Sequence, residues 1–331
     1  MIALDVREVA AASDTDDASR AAGLARPVTA SRPMMGGEVA VHVIDEADPV
    51  RSAAAAARIL DRIEAWAGRL TRFDPASELM RLNASPDAEV PVGPTLTAVL
   101  DWARMAEGLT DGLVDVAMLD ERLAAEAGTN VGSAVVPARR RWSLARGPRG
   151  TTVRREPGVR FDLDGVAKGW LADRALAIAP GRSALVDGDG DVAMRIAPGD
   201  EWTVGIADPR EPGTLLATLR MAGNLGGDAG GSTSRRGVAT SGTSVHRWSH
   251  PAGDAHHLLD PRTRRSAATD IVQATVVAGS AREAEAFAKT AVIAGTDRAF
   301  DLLDRPGVYG VLVLTTRGEI RATPEMLRWL A

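Results

Sequence analysis

Residues 237–263 read GVATSGTSVHRWSHPAGDAHHLLDPRT, and how this stretch folds decides how the chain is built. It opens as an apolar strand, and the hydroxyl pair Thr240-Ser241 stands at a glycine turn, Gly242. It carries four of the chain's five histidines, His246, His250, His256 and His257. Its end, His-His-Leu-Leu-Asp-Pro-Arg-Thr, brings imidazole, carboxylate, guanidinium and hydroxyl close together in the chain. Imidazole titrates near neutral pH, so such crowding beside an acid is a candidate proton-transfer site. A polar hairpin using its histidines only for packing fits the composition equally well. A zinc site is open by ligand type, although the spacing fits no familiar zinc pattern.

Working outward, Gly36–Ile44 alternates as a half-buried strand, and Asp48–Leu70 carries Ile59, Leu60 and Ile63 at helical spacing. Asp74-Pro75 turns the chain, and Ser77 with Glu78 caps a short helix ending at Asn83. A helix over Thr95–Glu107 leads to Thr110-Asp111-Gly112-Leu113-Val114-Asp115, a turn with two carboxylates. Residues 124–150 read as irregular, and hold the one weak internal boundary. Thr151–Leu163 is expected to form a hairpin turning at Pro157-Gly158. Phe161–Ile178 passes from strand into a helix starting near Val166, where Gly-x-x-Lys-Gly suits an anion at a helix N-terminus but is no Walker A loop. Strands follow over Ser183–Asp187, Asp191–Ile196 and Trp202–Ala207. Asp187–Asp191 is not an EF-hand, because Val192 and Pro198 stand where that loop needs Gly and Glu. Val272–Ala278 and Val308–Thr315 read as strands around a helix over Ala281–Ala294. Strands in hairpin order with a few long helices predict an α+β fold with mainly antiparallel sheets.

The 331 residues suffice for a large core. A net charge of -5 lacks the basic field of a nucleic-acid binder, and no apolar run approaches a membrane span. Cysteine is absent. Residues 1–30 carry no apolar signal segment and read as a flexible polar tail ahead of one domain, 31–331. A cytoplasmic location is the expectation. Of 39 basic residues only Lys168 and Lys289 are lysine, which marks two positions where a compact ammonium replaces a planar guanidinium.

An ordered series of motifs, from about Met35 to Gly310, resembles the ApbE-type FAD:protein FMN transferases. Met35-Gly36, FDPASELMRLN, TDGLVD, DLDGVAKGWLAD, WTVGIADP, VATSG and HHLLDPRT are similar to that family's segments and stand in its order. The resemblance implies a two-lobed, T-fold-like architecture with FAD between the lobes. It implies cleavage of FAD with Mg²⁺ and transfer of FMN, as a phosphoester, to a threonine of a partner flavoprotein, with release of AMP. Residue by residue, Met35, Phe73 and Ser77 match positions near the adenosine of FAD, and Asp115 and Lys168 match positions lining the ligand. His257 matches the base for the acceptor hydroxyl, with Asp260 and Thr240 beside it. The metal site would take the carbonyl of Ala167 and the carboxylate of Glu285.

The chain departs from that pattern at Lys289, which stands where the family has its metal-binding threonine. Glu285 and Lys289 are four apart, a spacing that also makes an ordinary surface ion pair. If the pair instead faces the ligand, Lys289 supplies positive charge otherwise brought by Mg²⁺, or weakens metal binding. Asp189 and Arg264 replace glycines, Phe73 replaces a tyrosine, and the lipid-anchor cysteine of exported members is missing. Hydrolysis of FAD to FMN and AMP, and FAD binding without catalysis, remain as alternatives.

Overall fold

The computed structural model describes residues 2–4, 27–45, 48–129, 142–223, 233–251 and 253–331. Its frame is a nine-stranded sheet. In spatial order the strands are Ile2–Leu4, Ile320–Ala322, Val308–Thr315, Ile271–Ala278, Ser234–Gly242, Val192–Ile196, Ser183–Gly188, Gly37–Ile44 and Val28–Met34. Every neighbouring pair is antiparallel.

Period-two alternation divides the side chains between the two faces. Val192, Met194, Ile196, Val238 and Val277 point to one side, where the hairpin Glu201–Ala207/Leu215–Ala222 and Trp329 cover them. Ala193, Ala239, Val276 and Ala278 point to the other side. There the helices Pro49–Leu70, Ala167–Ile178 and Ala281–Ala294 pack. Covering both faces explains why Ile271–Ala278 and Val308–Thr315 are nearly continuous apolar runs.

The helices start where their sequences say they should. Asp48 accepts the Arg51 N–H at 2.8 Å ahead of Pro49, and Ser280 caps Ala281–Ala294. The alanines of that last helix let it lie close to the sheet. A Cβ on Gly237 would fall 2.1 Å from the Ser280 carbonyl carbon, so the strand beneath must have glycine there.

A second lobe packs beside this sheet. The helices Glu78–Ala84 and Pro94–Leu109 enclose a core with the three-stranded sheet Glu89–Val92, Gly150–Arg155 and Trp142–Gly147, and the helix Leu119–Ala127 packs on the strands Gly253–His256 and Arg265–Ser266. Trp142 meets Phe161 edge-on at 5.2 Å. The fold is therefore α+β and mainly antiparallel, with seven α-helices among the described residues. None of the described helices is long and apolar enough to cross a membrane.

Several local expectations give way. Residues 124–150 include the end of the helix Leu119–Ala127 and the strand Trp142–Gly147, while 130–141 lie outside the described residues. The strand Gly150–Arg155 pairs backward with Trp142–Gly147, and not across Pro157-Gly158. The chain after that turn needs no partner strand, because the Asn83 amide serves both backbone groups of Phe161. It accepts the N–H at 2.7 Å and donates to the carbonyl at 2.8 Å. Within the stretch expected as a polar tail, Ile2–Leu4 and the start of Val28–Met34 are strands of the main sheet.

Candidate functional site

Where the second lobe meets the helix-covered face lies a cleft of two joined compartments. The larger, about 680 Å³, is lined by Met35, Phe73, Ala167, Lys168, His246 and Trp248 among others. The smaller, about 80 Å³, is lined by Asp115, His257 and Lys289. Arg122, Asp162 and Asp164 border both. Seven of the residues singled out from the sequence thus face one cleft: Met35, Phe73, Asp115, Ala167, Lys168, His257 and Lys289.

His257 is held in one tautomer. Its Nδ1 lies 2.9 Å from the Val245 carbonyl oxygen, which can only accept, so Nδ1 carries the proton and Nε2 an open lone pair. Burial together with the nearby charges of Lys289 and Arg122 pushes its pKa down to about 3. The ring is therefore neutral at physiological pH. The other three histidines of the opening stretch do not join it in a metal cluster. His250 and His256 bond the backbone carbonyls of Ala125 and Ala267, and His246 stands edge-on to His257 at 5.3 Å. Among the described residues no group of three or more His, Asp or Glu side chains is arranged to hold a metal ion.

Arg122 ties the compartments together from the helix Leu119–Ala127. Its Nε donates to Glu126 at 2.8 Å, its Nη1 reaches the His257 carbonyl at 3.3 Å, and its Cζ stands 4.9 Å over the Trp248 ring. Burial raises Asp164, but Lys289, Arg122 and Lys168 outweigh it and hold this carboxyl below its ordinary pKa. Asp162 goes the other way, pushed up by burial and by Asp164. Neither aspartate nor Arg122 was singled out by sequence reasoning. The available signal was the Asp-Leu-Asp run directly ahead of Gly165 and Lys168.

Both lysines of the chain sit at this corner. The Lys168 ammonium lies 2.6 Å from Asp189. Asp189 adopts a left-handed backbone, φ 66°, where a glycine would be unstrained. Its carboxylate over the Lys168 ammonium offsets that strain, and Gly37 leaves the room, since a Cβ there would strike the carboxylate. Arg264, the other replacement of an expected glycine, is left-handed as well, φ 59°, and its guanidinium meets the buried Glu121 carboxylate.

The Glu285–Lys289 pair is not surface decoration. The Glu285 side chain is 1 % exposed and that of Lys289 12 %, with 3.0 Å between carboxylate and ammonium. Lys289 also donates to the Asp164 carbonyl at 3.4 Å, and the second Glu285 oxygen accepts the Gly169 N–H at 3.0 Å. That last bond takes up a backbone donor which the Gly-x-x-Lys-Gly turn was expected to present to an anion. Burial and the Glu285 charge drive the neighbouring Asp191 well above the carboxylate range. A resident divalent ion at Ala167 and Glu285 does not fit this donor set. Each Glu285 oxygen already accepts a hydrogen bond, and a protonated lysine neither ligates a metal nor tolerates one beside it.

Three sequence-predicted site residues stand apart from the cleft. The Ser77 hydroxyl donates to the Thr71 carbonyl at 2.7 Å and accepts the Met80 N–H at 3.0 Å, which makes it a helix cap under the Arg72-Phe73 loop. Thr240 bonds Thr275 across two strands at 2.9 Å. Asp260 is gripped by the Arg262 guanidinium and backbone N–H, at distances of 2.8 to 3.1 Å. Its carboxylate therefore orients a turn, and the Val245 carbonyl, not Asp260, positions the His257 ring.

The sequence matches the ApbE family over residues 35–312. It is 28% identical to the FAD:protein FMN transferase of Treponema pallidum over 182 residues, 51% of this chain and 47% of that one. With the enzyme of that name from Rhodobacter capsulatus identity is 31%, over 54% of this chain and 32% of that one. The matched stretch thus spans half or less of the length of these two relatives. The Escherichia coli K12 protein of the same name is 22% identical and is matched over 80% of its length, against 82% of this chain. Two solved structures share the fold. The ApbE protein of Thermotoga maritima has a TM-score of 0.72 at 24% identity, covering 90% of this chain and 97% of its own. The flavin transferase ApbE of Vibrio cholerae has 0.70 at 20%, covering 92% and 100%.

Proposed function

The chain belongs to the ApbE family, and on that premise we propose that it is an FAD:protein FMN transferase. It takes FAD into the larger compartment and moves FMN onto a threonine hydroxyl of a partner flavoprotein. The observation that carries this reading is His257: a neutral imidazole whose Nε2 lone pair borders a compartment lined by Lys289, Arg122 and three aspartates and joined to a nucleotide-sized cleft.

Phosphoryl transfer asks a protein for alignment, charge neutralisation and a proton acceptor. The acceptor oxygen bonds to the FMN phosphorus while its proton passes to Nε2 of His257. The bond from that phosphorus to the bridging oxygen breaks, and its electron pair leaves on the phosphate of AMP. Lys168 and Lys289 meet the phosphate charges, and burial, with Lys289 and Arg122, keeps the imidazole neutral until the proton arrives. Phe73 and Trp248 offer flat faces to the ring systems of the dinucleotide, with Met35 beside them, and Asp115 borders the reacting end. No step is assigned to a divalent ion.

The test is incubation with FAD and a flavoprotein segment bearing candidate threonines, followed by chromatography and mass spectrometry. Flavin retained on the segment with AMP released supports transfer. Free FMN with AMP would make the protein a hydrolase, and FAD bound intact under all conditions would make it a carrier.

A further inference from the structure

We propose that the Lys289 ammonium is the resident cation of this cleft, meeting the diphosphate of the bound dinucleotide directly, so that binding needs no divalent metal ion. This deepens the flavin-transfer reading and rests on it.

An exposed Glu–Lys pair four residues apart on a helix is cheap, but this one is buried, and taking two charges out of water costs several kcal/mol per ion before their attraction is counted. Replacing a buried ion pair by apolar residues of similar volume is often neutral or stabilising. The ammonium of this pair lies at the wall of the compartment that also holds His257. Its geometry fixes the ammonium as a ligand sphere would fix a metal. Glu285 holds it from one side at 3.0 Å and the Asp164 carbonyl from another at 3.4 Å, while Gly169 holds the second Glu285 oxygen. Gly165 lines the same wall, and its missing side chain keeps the ammonium reachable, since an added Cβ would stand 3.5 Å from Nζ. A divalent ion drawing on Glu285 would sit next to this fixed positive charge and compete for oxygens already bonded. An anion meets the ammonium directly, with the Asp164 carboxylate of the same wall facing Arg122 at 3.8 Å. The ammonium therefore does in this chain what a bound metal would do: it places positive charge against phosphate oxygens with no reorganisation at the moment of binding.

The test is FAD binding by the full chain, followed through flavin fluorescence in excess EDTA and again with magnesium chloride. The wild type is compared with Lys289→Met and with the double variant Glu285→Gln/Lys289→Met. The double variant removes the buried carboxylate together with its partner, so its fold does not suffer from an unpaired charge, and thermal melts check this. The wild type is expected to bind FAD equally well with and without magnesium. The double variant should bind on the order of tenfold more weakly, the loss of one charge-assisted contact. Manganese titration of the ligand-free protein, read by electron paramagnetic resonance, should show no tight site. Wild-type binding that appears only with magnesium overturns the inference and leaves the flavin reading standing. A double variant as tight as wild type in EDTA, or a stoichiometric manganese site, overturns it too. Absence of FAD binding under every condition removes both.

Discussion

The Nδ1 atom of His257 and the carbonyl oxygen of Val245, 2.9 Å apart, leave the opposite ring nitrogen as a base that is ready at every physiological pH. Its pKa near 3 lies below the ordinary value of 6.5 because burial, Lys289 and Arg122 disfavour the imidazolium. The neutral fraction is then constant above about pH 5. We predict that kcat/KM for FAD in flavin transfer, which reports the free enzyme, shows no histidine limb between pH 5 and 8. Replacing His257 with Asn should lower kcat by about two to four orders of magnitude while FAD still binds. A limb centred near 6.5 would sink this account of the ring's environment.

Arg122 supplies part of that depression and also neutralises Glu126 and Asp164. In Arg122→Met one positive charge leaves the vicinity of Nε2, so the acid limb of kcat/KM should move upward, toward the usual imidazole range. The same change leaves the half-buried carboxylates of Glu126 and Asp164 one partner short, which costs on the order of 1 kcal/mol. Urea denaturation measures the second effect and the pH profile the first. Lost stability with an unmoved limb would make Arg122 a purely structural residue.

Phe73 is 79 % exposed at the rim of the larger compartment, and the Arg72 guanidinium stacks on its ring at 4.2 Å. A large aromatic left so open contributes little to the core and much to a planar ligand. In Phe73→Ala, FAD affinity should fall about tenfold, the value of one stacked base. Stability should change by less than about 0.5 kcal/mol. Calorimetric titration and a thermal melt separate the two, and a large melting shift with unchanged affinity would refute the stacking role.

The frame of this fold was legible where local signals agree. The helix Ala281–Ala294 has a Ser280 cap and a glycine stop, and its bounds are as read. The strand Val308–Thr315 is an unbroken apolar run between turns. Elements without such marks were missed. The helix Leu119–Ala127 starts at Met118 with no side-chain cap, and the segment after Pro157-Gly158 is held by Asn83, a partner distant in sequence. At the site, the crowding of histidines pointed to the right stretch. The resemblance then grouped His257 with Asp260 and Thr240, whereas Asp260 bonds Arg262 and Thr240 bonds Thr275. Helical periodicity put Glu285 and Lys289 on one face. Which way that face points depends on the helix Ala167–Ile178 packed against it, and no local signal encodes that.

Asp173 gives the fold a pH dependence opposite to that of a salt-bridged carboxylate. Burial raises its pKa to about 6 from 3.8, although the Arg282 and Ala281 N–H groups bond it. The folded state therefore holds the proton more tightly than the unfolded state. The resulting stabilisation is complete below about pH 4 and disappears as pH rises through about 6, an amount of roughly 3 kcal/mol. Asp173→Asn lacks this titration. The stability of wild type relative to the variant should thus decline between pH 4 and 7, as read by denaturation at fixed temperature. A difference that is flat, or that grows with pH, would show that the carboxylate is ionised in the folded protein at low pH.

Gly237 carries the closest approach of helix to sheet, because an added Cβ would lie 2.1 Å from Ser280 C and 2.2 Å from Ala281 N. Both neighbours are backbone, at the start of the helix that bears Glu285 and Lys289, so neither can swing aside. Gly237→Ala should force that helix outward at a cost of about 3 kcal/mol, the upper end of ordinary overpacking. The displacement should also loosen the Gly169–Glu285 bond and weaken FAD binding. Gly108 is the contrast within the same chain: it lies in the helix Pro94–Leu109, and a Cβ there meets nothing within 4 Å. Gly108→Ala should raise stability by roughly 0.5 to 1 kcal/mol. Melting both variants side by side tests the packing directly, since equal effects would mean that the helix–sheet contact is not the tight one.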